Sequence, residues 1–341
     1  MMAGRGDEAA GGPARHIPVM LSEVLETLQP QPTDTVVDAT FGAGGYTRAI
    51  LDAAECRVIA IDRDPRAIAG GQELADAFPG RLELVLGRFS ELAKVVEDLE
   101  IEKLNGVVLD LGVSSMQLDQ PERGFSFMHD GPLDMRMGAA GPTAADVVNT
   151  LAEQELAKVL FVLGEERRSR AIAKAIVGTR ADSPFTRTSE LAELVVKVLG
   201  RKPGDKKHPA TRTFQALRLY LNGELTELAE ALAAAERLLV PGGRLVVVTF
   251  HSLEDRIAKR FFAARAKPEP KGSRHLPDAG DEGAAPSFEL INRKPLSPTD
   301  EETRANPRAR SARLRAGRRT QAPAHSLDLS SIGVPRLETP A

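Results

Sequence analysis

The residues that could do chemistry begin with two carboxylates, each at the end of an apolar run typical of a buried strand. Asp62 ends the run VIAID, and Asp110 ends the run VVLD. In open α/β sheets, ligands bind in the crevice beyond the carboxyl ends of such strands. A glycine-rich stretch at residues 38–46 (DATFGAGGY) comes first, and Asp62 follows its Gly42 by 20 residues. Glycines let the backbone approach a ligand closely, and a carboxylate at this spacing suits a ribose diol.

Both features also have structural explanations that involve no ligand. The glycine-rich stretch can be a simple turn between a strand and a helix, and a dinucleotide fingerprint would have a third glycine where this chain has Thr47. Asp62 can cap the helix that Pro65 begins. Taken together, the glycines and the carboxylate favour ligand binding.

Further candidates follow the other strand-like runs. Phe89 could lie against an adenine ring or in the core, and His251 could act as a base, contact substrate or be structural. The loop after Asp110 carries Phe125 and Phe127, which could stack on a base or anchor the loop. Long polar loops of this kind are frequently functional.

The elements that must position these residues alternate along the chain. Apolar strand-like runs separated by helical patterns are typical of βαβ units and a parallel sheet. The runs cover residues 36–39, 57–61, 82–86 and 106–111, and a later one covers residues 244–250. About 130 residues separate the last two runs, whereas a plain crossover unit needs only roughly 30. Helical periodicity in residues 144–200 therefore predicts an α/β fold with an inserted all-helical domain.

The composition is that of a soluble globular protein. The 341 residues include 45 Lys and Arg against 48 Asp and Glu, a formal net charge of -3. This balance excludes a disordered acidic chain and a polycationic coat protein. No apolar run approaches the ~20 residues of a membrane span. Cys56 is the only cysteine, which excludes an internal disulfide and fits a reducing cytoplasm, and the six histidines show no metal-ligand spacing.

With so little net charge, a nucleic acid would have to be bound by local basic patches. Residues 306–319 hold six arginines and no acid. Such a run can neutralise several phosphates, or it can be a solvated tail. Residues 206–212 (KKHPATR) are a second basic stretch, for which surface solvation is the alternative.

The combination of motifs resembles class I S-adenosylmethionine-dependent methyltransferases, and more specifically the bacterial 16S ribosomal RNA (cytosine-N4)-methyltransferase family. The resemblance covers most of residues 16–316, and several of its motifs are long and unusual in composition. It is carried by residues 16–21 (HIPVML), 38–45 (DATFGAGG), 60–65 (AIDRDP), 109–115 (LDLGVSS), 122–128 (ERGFSFM), 130–137 (DGPLDMRM), 164–167 (GEER), 207–215 (KHPATRTFQ), 250–256 (FHSLEDR) and 306–311 (NPRARS).

The resemblance implies a Rossmann-like class I methyltransferase fold with S-adenosylmethionine as cofactor. It also implies a partner, the 16S ribosomal RNA of the small ribosomal subunit, and a target, the exocyclic N4 of a cytosine in the decoding centre. No membrane and no metal are implied. The positions that match the family's cofactor contacts are Gly44, Gly45, Tyr46, Asp62 (on the ribose), Phe89 (beside the adenine), Asp110 and Gln117.

Asp110 is the residue that we predict to be catalytic. It would accept hydrogen bonds from the target amine as charge develops there, although it could also serve only to bind the cofactor. Ser114, Ser115 and His251 are secondary candidates. Many amino-methyltransferases carry an Asp/Asn-Pro-Pro-aromatic motif after the fourth strand. This chain has DLGV there, so their proton-handling scheme does not transfer. The base must be unstacked to reach the pocket.

Two other functions remain open. A dinucleotide-dependent oxidoreductase is disfavoured by Thr47, and a non-enzymatic ribosome-assembly factor would bind RNA through the basic residues 306–319. The oligomeric state is not predicted. The predicted organisation is a disordered tail (1–15), the first part of the methyltransferase domain (16–137), the helical insertion (138–205), the second part with a mobile basic segment (206–319) and a disordered tail (320–341).

Overall fold

The computed structural model describes residues 18–138, 140–201, 208–266 and 284–337. The predicted tail at residues 1–15 lies outside them. The strands are β1 (Thr35–Asp38), β2 (Arg57–Asp62), β3 (Leu82–Leu86), β4 (Leu104–Asp110), β5 (Leu239–Thr249), β6 (Phe288–Leu290) and β7 (Arg313–Arg319). The helices are α1 (Leu21–Leu28), α2 (Gly45–Ala53), α3 (Pro65–Gly70), α4 (Gln72–Ala77), α5 (Leu92–Asp98), α6 (Ser115–Asp119), α7 (Ala144–Thr150), α8 (Glu153–Gly164), α9 (Ser169–Arg180), α10 (Thr188–Leu199), α11 (Thr211–Asn222), α12 (Glu224–Leu238), α13 (Ser252–Arg265) and α14 (Asp300–Ala305).

One sheet contains these strands in the order β3-β2-β1-β4-β5-β7-β6. The first five are parallel, whereas β7 runs antiparallel to both β5 and β6. The central strands are buried on both faces, as their continuous Val, Ile and Leu runs require. The predicted Rossmann-like α/β fold is confirmed, and this topology brings the ends of β1, β2 and β4 to one edge of the sheet.

The predicted helical region lies between β4 and α11. Its helix α8 packs against both α9 and α11. The buried side chains of α8 and α9, among them Leu160 and Ile176, belong to the same apolar cluster as Leu109 of β4. This region therefore shares the core of the sheet. The limits of a separate domain at residues 138 and 205 stay a prediction.

For the basic run at residues 306–319, the alternative of a solvated tail is wrong for the residues that form β7. Residues 313–319 form β7, in which Leu314 and Ala316 are buried. Arg315, on the other face of the strand, donates two hydrogen bonds to the carboxylate of Asp255, at 2.7 and 3.1 Å. The alternation of arginine with apolar residues is the period of a half-buried strand, so burial orders the segment in spite of its charge.

The prediction of a disordered C-terminal tail is wrong for residues 320–337. Ile332 and Val334 lie in the main core, with 1% and 7% of their surface exposed. The backbone N–H of His325 donates to Oε1 of Glu236, a fully buried acid of α12, at 2.9 Å. A few buried apolar side chains and one buried acceptor hold a segment whose composition alone suggests a loop.

Candidate active site

A cavity of about 320 Å³ opens beyond the carboxyl ends of β1, β2 and β4. Small-molecule sites have volumes of roughly 300–1,000 Å³ and mostly apolar walls with a few polar groups. Here the apolar wall includes Val113, Leu118 and Phe250. The glycine-rich stretch at residues 38–46, the glycine loop, closes one side. Position and size therefore both indicate a site for a small molecule.

Three carboxylates stand at the ends of these neighbouring strands. Asp62 accepts a hydrogen bond on Oδ2 from the N–H of Gly42 at 2.7 Å, and one on Oδ1 from the backbone N–H two residues further on. Asp38 is fully buried and accepts a hydrogen bond from the hydroxyl of Thr47 at 2.7 Å. Among the described residues, nothing hydrogen-bonds Oδ1 of Asp110, which is buried. A buried acceptor of this kind is costly unless a ligand supplies the missing donor.

The pKa values of these carboxyls are all raised. Burial raises the pKa of Asp38 from 3.8 to about 6 and also raises that of Asp62. The pKa of Asp110 is well above its usual range, first because of burial and then because of the nearby charges of Asp38 and Glu254. A cation bound in the cavity would favour the ionised form of each group. The electrostatics therefore suit a positively charged ligand.

The glycine loop has the conformation and the close contacts that exclude other residues. Gly42 and Gly44 have φ values of +54° and +76°, in the left-handed region that side chains rarely adopt. A Cβ on Gly45 would lie 2.2 Å from Cγ of Pro18. The next residue, Tyr46, donates its hydroxyl hydrogen to the carbonyl of Val19. The loop and the start of α2 are therefore fixed against the segment before α1.

Six of the seven predicted cofactor residues line the cavity: Gly45, Tyr46, Asp62, Phe89, Asp110 and Gln117. Gly44 does not, and it serves as the left-handed residue at the start of α2. Phe89 begins a 3-10 turn after β3 and packs partly against the main core, so both of its predicted roles are compatible with its position. That these residues bind a cofactor stays a prediction.

The loop after β4 is fastened over the cavity by a few polar contacts. Gln117 accepts a hydrogen bond from the N–H of Ser114 at 3.0 Å, in a capping box that starts α6. Arg123 pairs with Asp64 and donates to the carbonyl of Met137 at 3.2 Å. Met137 and Gln117 both line the cavity, so these contacts hold part of its wall.

Sequence reasoning missed Arg218 of α11, which also lines the cavity. Its side chain is only 15% exposed. Its Nε and Nη2 donate to the two carboxylate oxygens of Glu224 at 2.8 and 2.9 Å, and Nη2 lies 3.8 Å from Glu254. Asn306 and Arg308 line the cavity as well, and Arg308 pairs with Asp119. No local pattern singles out Arg218, because its partners come from other elements.

Of the three secondary catalytic candidates, one lines the cavity, one caps a helix and one has a side chain that is not described. Ser114 lines the cavity. His251 is the N-cap of α13, and its Nε2 lies 2.9 Å from Glu254 without the alignment of a hydrogen bond. The side chain of Ser115 is not among those that the structure describes. Residues 206 and 207 of the second basic stretch also lie outside the described residues.

The two loop phenylalanines anchor the loop. Phe125 is buried in the main core with 7% of its surface exposed, so the alternative in which it stacks on a base is wrong. Phe127 stacks on His208, with 4.6 Å between ring centroids, and packs edge-on against Phe214. The stack on His208 therefore occupies one face of the Phe127 ring.

Neither a membrane-spanning helix nor a three-residue metal site is present within the described ranges. No helix there is both long enough and apolar enough to cross a membrane. No group of three His, Cys, Asp or Glu side chains in the same part of the chain could hold a metal ion.

Comparison with known sequences gives strong matches over most of the chain. A model of the MraW methylase family matches residues 13–320. A protein of Azorhizobium caulinodans called ribosomal RNA small subunit methyltransferase H is 63% identical over 95% of this chain and 94% of its own. A protein of the same name from Parvibaculum lavamentivorans is 55% identical, covering 97% and 98%. A solved rRNA methylase from Streptococcus thermophilus is 13% identical with a TM-score of 0.39, covering 88% of this chain and 94% of that one.

Proposed function

Because this chain belongs to the MraW methylase family, we propose that it transfers a methyl group from S-adenosylmethionine to the RNA of the small ribosomal subunit. The atom proposed to receive it is the exocyclic N4 of cytosine 1402, in the decoding centre of 16S ribosomal RNA. The observation that carries this proposal is the buried Oδ1 of Asp110, an acceptor at the cavity that no described residue satisfies. A ribosomal substrate also makes the cytoplasm the expected location.

The residues of the cavity fit the cofactor. S-adenosylmethionine, when bound, supplies an electrophilic methyl group on a positively charged sulfonium. Asp62 and Asp110 line the cavity and Asp38 lies at the end of the strand between theirs, and a bound sulfonium would favour the ionised form of each acid. Asp62 keeps free lone pairs for ribose hydroxyls after it has accepted its two backbone hydrogen bonds. The ring of Phe89 can cover an adenine face.

Asp110 is proposed to act on the target amine. The N4 lone pair of cytosine is delocalised into the ring, so the nitrogen must be oriented toward the methyl carbon and stabilised as it becomes positive. Oδ1 of Asp110 can accept a hydrogen bond from the N4 amino group and stabilise that charge. In that transfer the N–CH3 bond would form as the S–CH3 bond breaks, the sulfur would leave as a neutral thioether, and the nitrogen would lose its new positive charge by releasing a proton to water.

Methyl transfer by variants tests the proposal. Tritiated S-adenosylmethionine is incubated with the protein and with small subunits from cells that lack its gene. The methylated nucleotide is then mapped by mass spectrometry. The wild type is expected to label one cytosine, whereas Asp110→Ala and Asp62→Ala are expected to lose the activity and keep their thermal unfolding midpoints within a few degrees.

Asp98→Ala is the matched control, since Asp98 is an exposed acid at the end of α5, away from the cavity. Full activity of Asp62→Ala would remove its ribose assignment. Binding of RNA with no methyl transfer by the wild type would instead favour the assembly-factor alternative.

A further inference from the structure

The cavity contains an unused donor as well as an unused acceptor. Nε and Nη2 of Arg218 are taken by Glu224. Among the described residues, none hydrogen-bonds Nη1 of Arg218, and this nitrogen is not sealed from solvent. The acceptor is Oδ1 of Asp110. Both residues line the same cavity, and the charge of Glu254 acts on both of them.

The guanidinium of Arg218 is held in one orientation. The two bonds to Glu224 are side by side on one edge of the guanidinium plane, which leaves the Nη1 edge pointing away from that carboxylate. Glu254 approaches Nη2 from a second direction, at 3.8 Å. A donor that is fixed in this way loses little entropy when it binds a further acceptor.

The charge around Arg218 selects the kind of acceptor. Two carboxylates, Glu224 and Glu254, already face Arg218, and Nε2 of His251 lies 2.9 Å from Glu254, so the charge of the guanidinium is already balanced. A phosphate group or the carboxylate of an amino acid would add a third negative charge in a buried place. A neutral carbonyl oxygen or ring nitrogen would not. The site therefore suits a neutral heteroaromatic acceptor.

We propose, resting on the function proposed above, that Arg218 is a specificity-determining residue that donates from Nη1 to the N3 and O2 edge of the target cytosine, while Asp110 accepts from its N4 amino group. Cytosine presents a donor at N4 and acceptors at N3 and O2. Uracil presents an acceptor at position 4 and a donor at N3, so the bond to Asp110 and the bond from Arg218 to N3 would be lost, and only O2 would remain as an acceptor. A site built to hydrogen-bond one pattern rejects the other strongly, because its own buried groups are left unpaired.

Nucleotide affinities test this assignment by single-atom changes. The wild type, saturated with S-adenosylhomocysteine, is titrated in a calorimeter with cytidine, uridine and 3-deazacytidine monophosphates. The last compound has a C–H group in place of the N3 acceptor. We expect cytidine monophosphate to bind at least about a hundredfold more tightly than uridine monophosphate, and about tenfold or more tightly than the deaza analogue. Equal affinity for cytidine and 3-deazacytidine monophosphates, or no measurable binding of cytidine monophosphate, would overturn the proposal.

Arg218→Lys links the effect to this residue. A lysine can pair with Glu224, but its single nitrogen cannot span that carboxylate and the base together. The variant is expected to bind S-adenosylhomocysteine like the wild type and to bind cytidine and 3-deazacytidine monophosphates equally. A variant that still prefers cytidine, or that loses affinity for S-adenosylhomocysteine, would refute the assignment. The second result would show that Arg218 holds the cofactor.

Arg265→Lys is the control for stability. Arg265 of α13 is also buried, with 4% of its side chain exposed, and pairs with Glu236 at 2.5 Å without lining the cavity. Arg265→Lys should lower the unfolding midpoint about as much as Arg218→Lys does, and it should leave the nucleotide preference intact. If Arg218→Lys does not fold, Arg218→Gln with Glu224→Gln removes both charges together and takes its place. Methyl transfer by the wild type to small subunits, measured separately, shows whether a negative result concerns Arg218 or the proposed function.

Discussion

Replacing Asp38 by asparagine should make the stability of this protein depend less on pH. The carboxyl of Asp38 is fully buried, and its pKa rises from 3.8 to about 6 on folding. Because the folded protein binds this proton more tightly, the stabilisation is complete below about pH 3.8 and is lost as the pH rises through about 6. At 1.36 kcal/mol for each pKa unit, the total loss is about 3 kcal/mol. About 1.4 kcal/mol of this loss falls between pH 5 and pH 7.5.

Asparagine has the same shape and does not titrate. Its oxygen can still accept from the N–H of Thr40, as Oδ1 of Asp38 does at 3.2 Å, and its amide can donate to the hydroxyl of Thr47. Any change in these bonds shifts the stability by an amount that does not vary with pH. The free energy of unfolding of Asp38→Asn minus that of the wild type should therefore rise by about 1.4 kcal/mol from pH 5 to pH 7.5. Urea unfolding without ligand at several pH values measures it, and a difference that stays constant or falls would refute the reasoning.

Two further outcomes follow from the same structure. The preference for S-adenosylmethionine over S-adenosylhomocysteine, which lacks the sulfonium charge, should increase between pH 5 and pH 8, because the carboxyl of Asp38, with its pKa raised to about 6, ionises in that range. About 1.4 kcal/mol of extra attraction would make the ratio of dissociation constants about tenfold larger, and calorimetry that finds a constant ratio would contradict it. Removal of residues 321–341 should lower the thermal midpoint by roughly 5–10 °C, because the burial of Ile332 and Val334 is lost. An unchanged midpoint in scanning calorimetry would show that this segment adds no stability.

The parts of the fold that the sequence predicts are those whose signals are local. The apolar runs of the parallel strands depend on neighbouring residues, and the structure confirms them. The cavity residues at strand ends were predicted for a similar reason, because parallel strands bring their carboxyl ends to one edge. The turn between α3 and α4 was not predicted. Gly71 lies at this turn, and a Cβ there would lie 2.6 Å from the ring of Phe41.

The missed residues depend on partners far away in the chain. Arg218 lies one helical turn after the buried Phe214, on the apolar side of α11, and an arginine there must be paired. The sequence does not say that Glu254, 36 residues later, is one of its partners. In the same way, the backbone N–H of Met20 donates to Glu302 at 2.6 Å, across almost the whole chain. Contacts of this kind exist only once the sheet has formed.

Burying three carboxylates together lowers the stability of the protein, and this cost indicates that they have a function. Each of them lowers the stability of the ligand-free protein at neutral pH, since each has a raised pKa. Apolar residues at these strand ends would avoid that cost, so the carboxylates need a compensating gain. A cationic methyl donor supplies one, because its charge stabilises the ionised acids. Methyl transfer removes that charge from sulfur, and the acids then attract the product less than the donor. The same acids would therefore favour the exchange of product for a new donor, which a neutral pocket could not do.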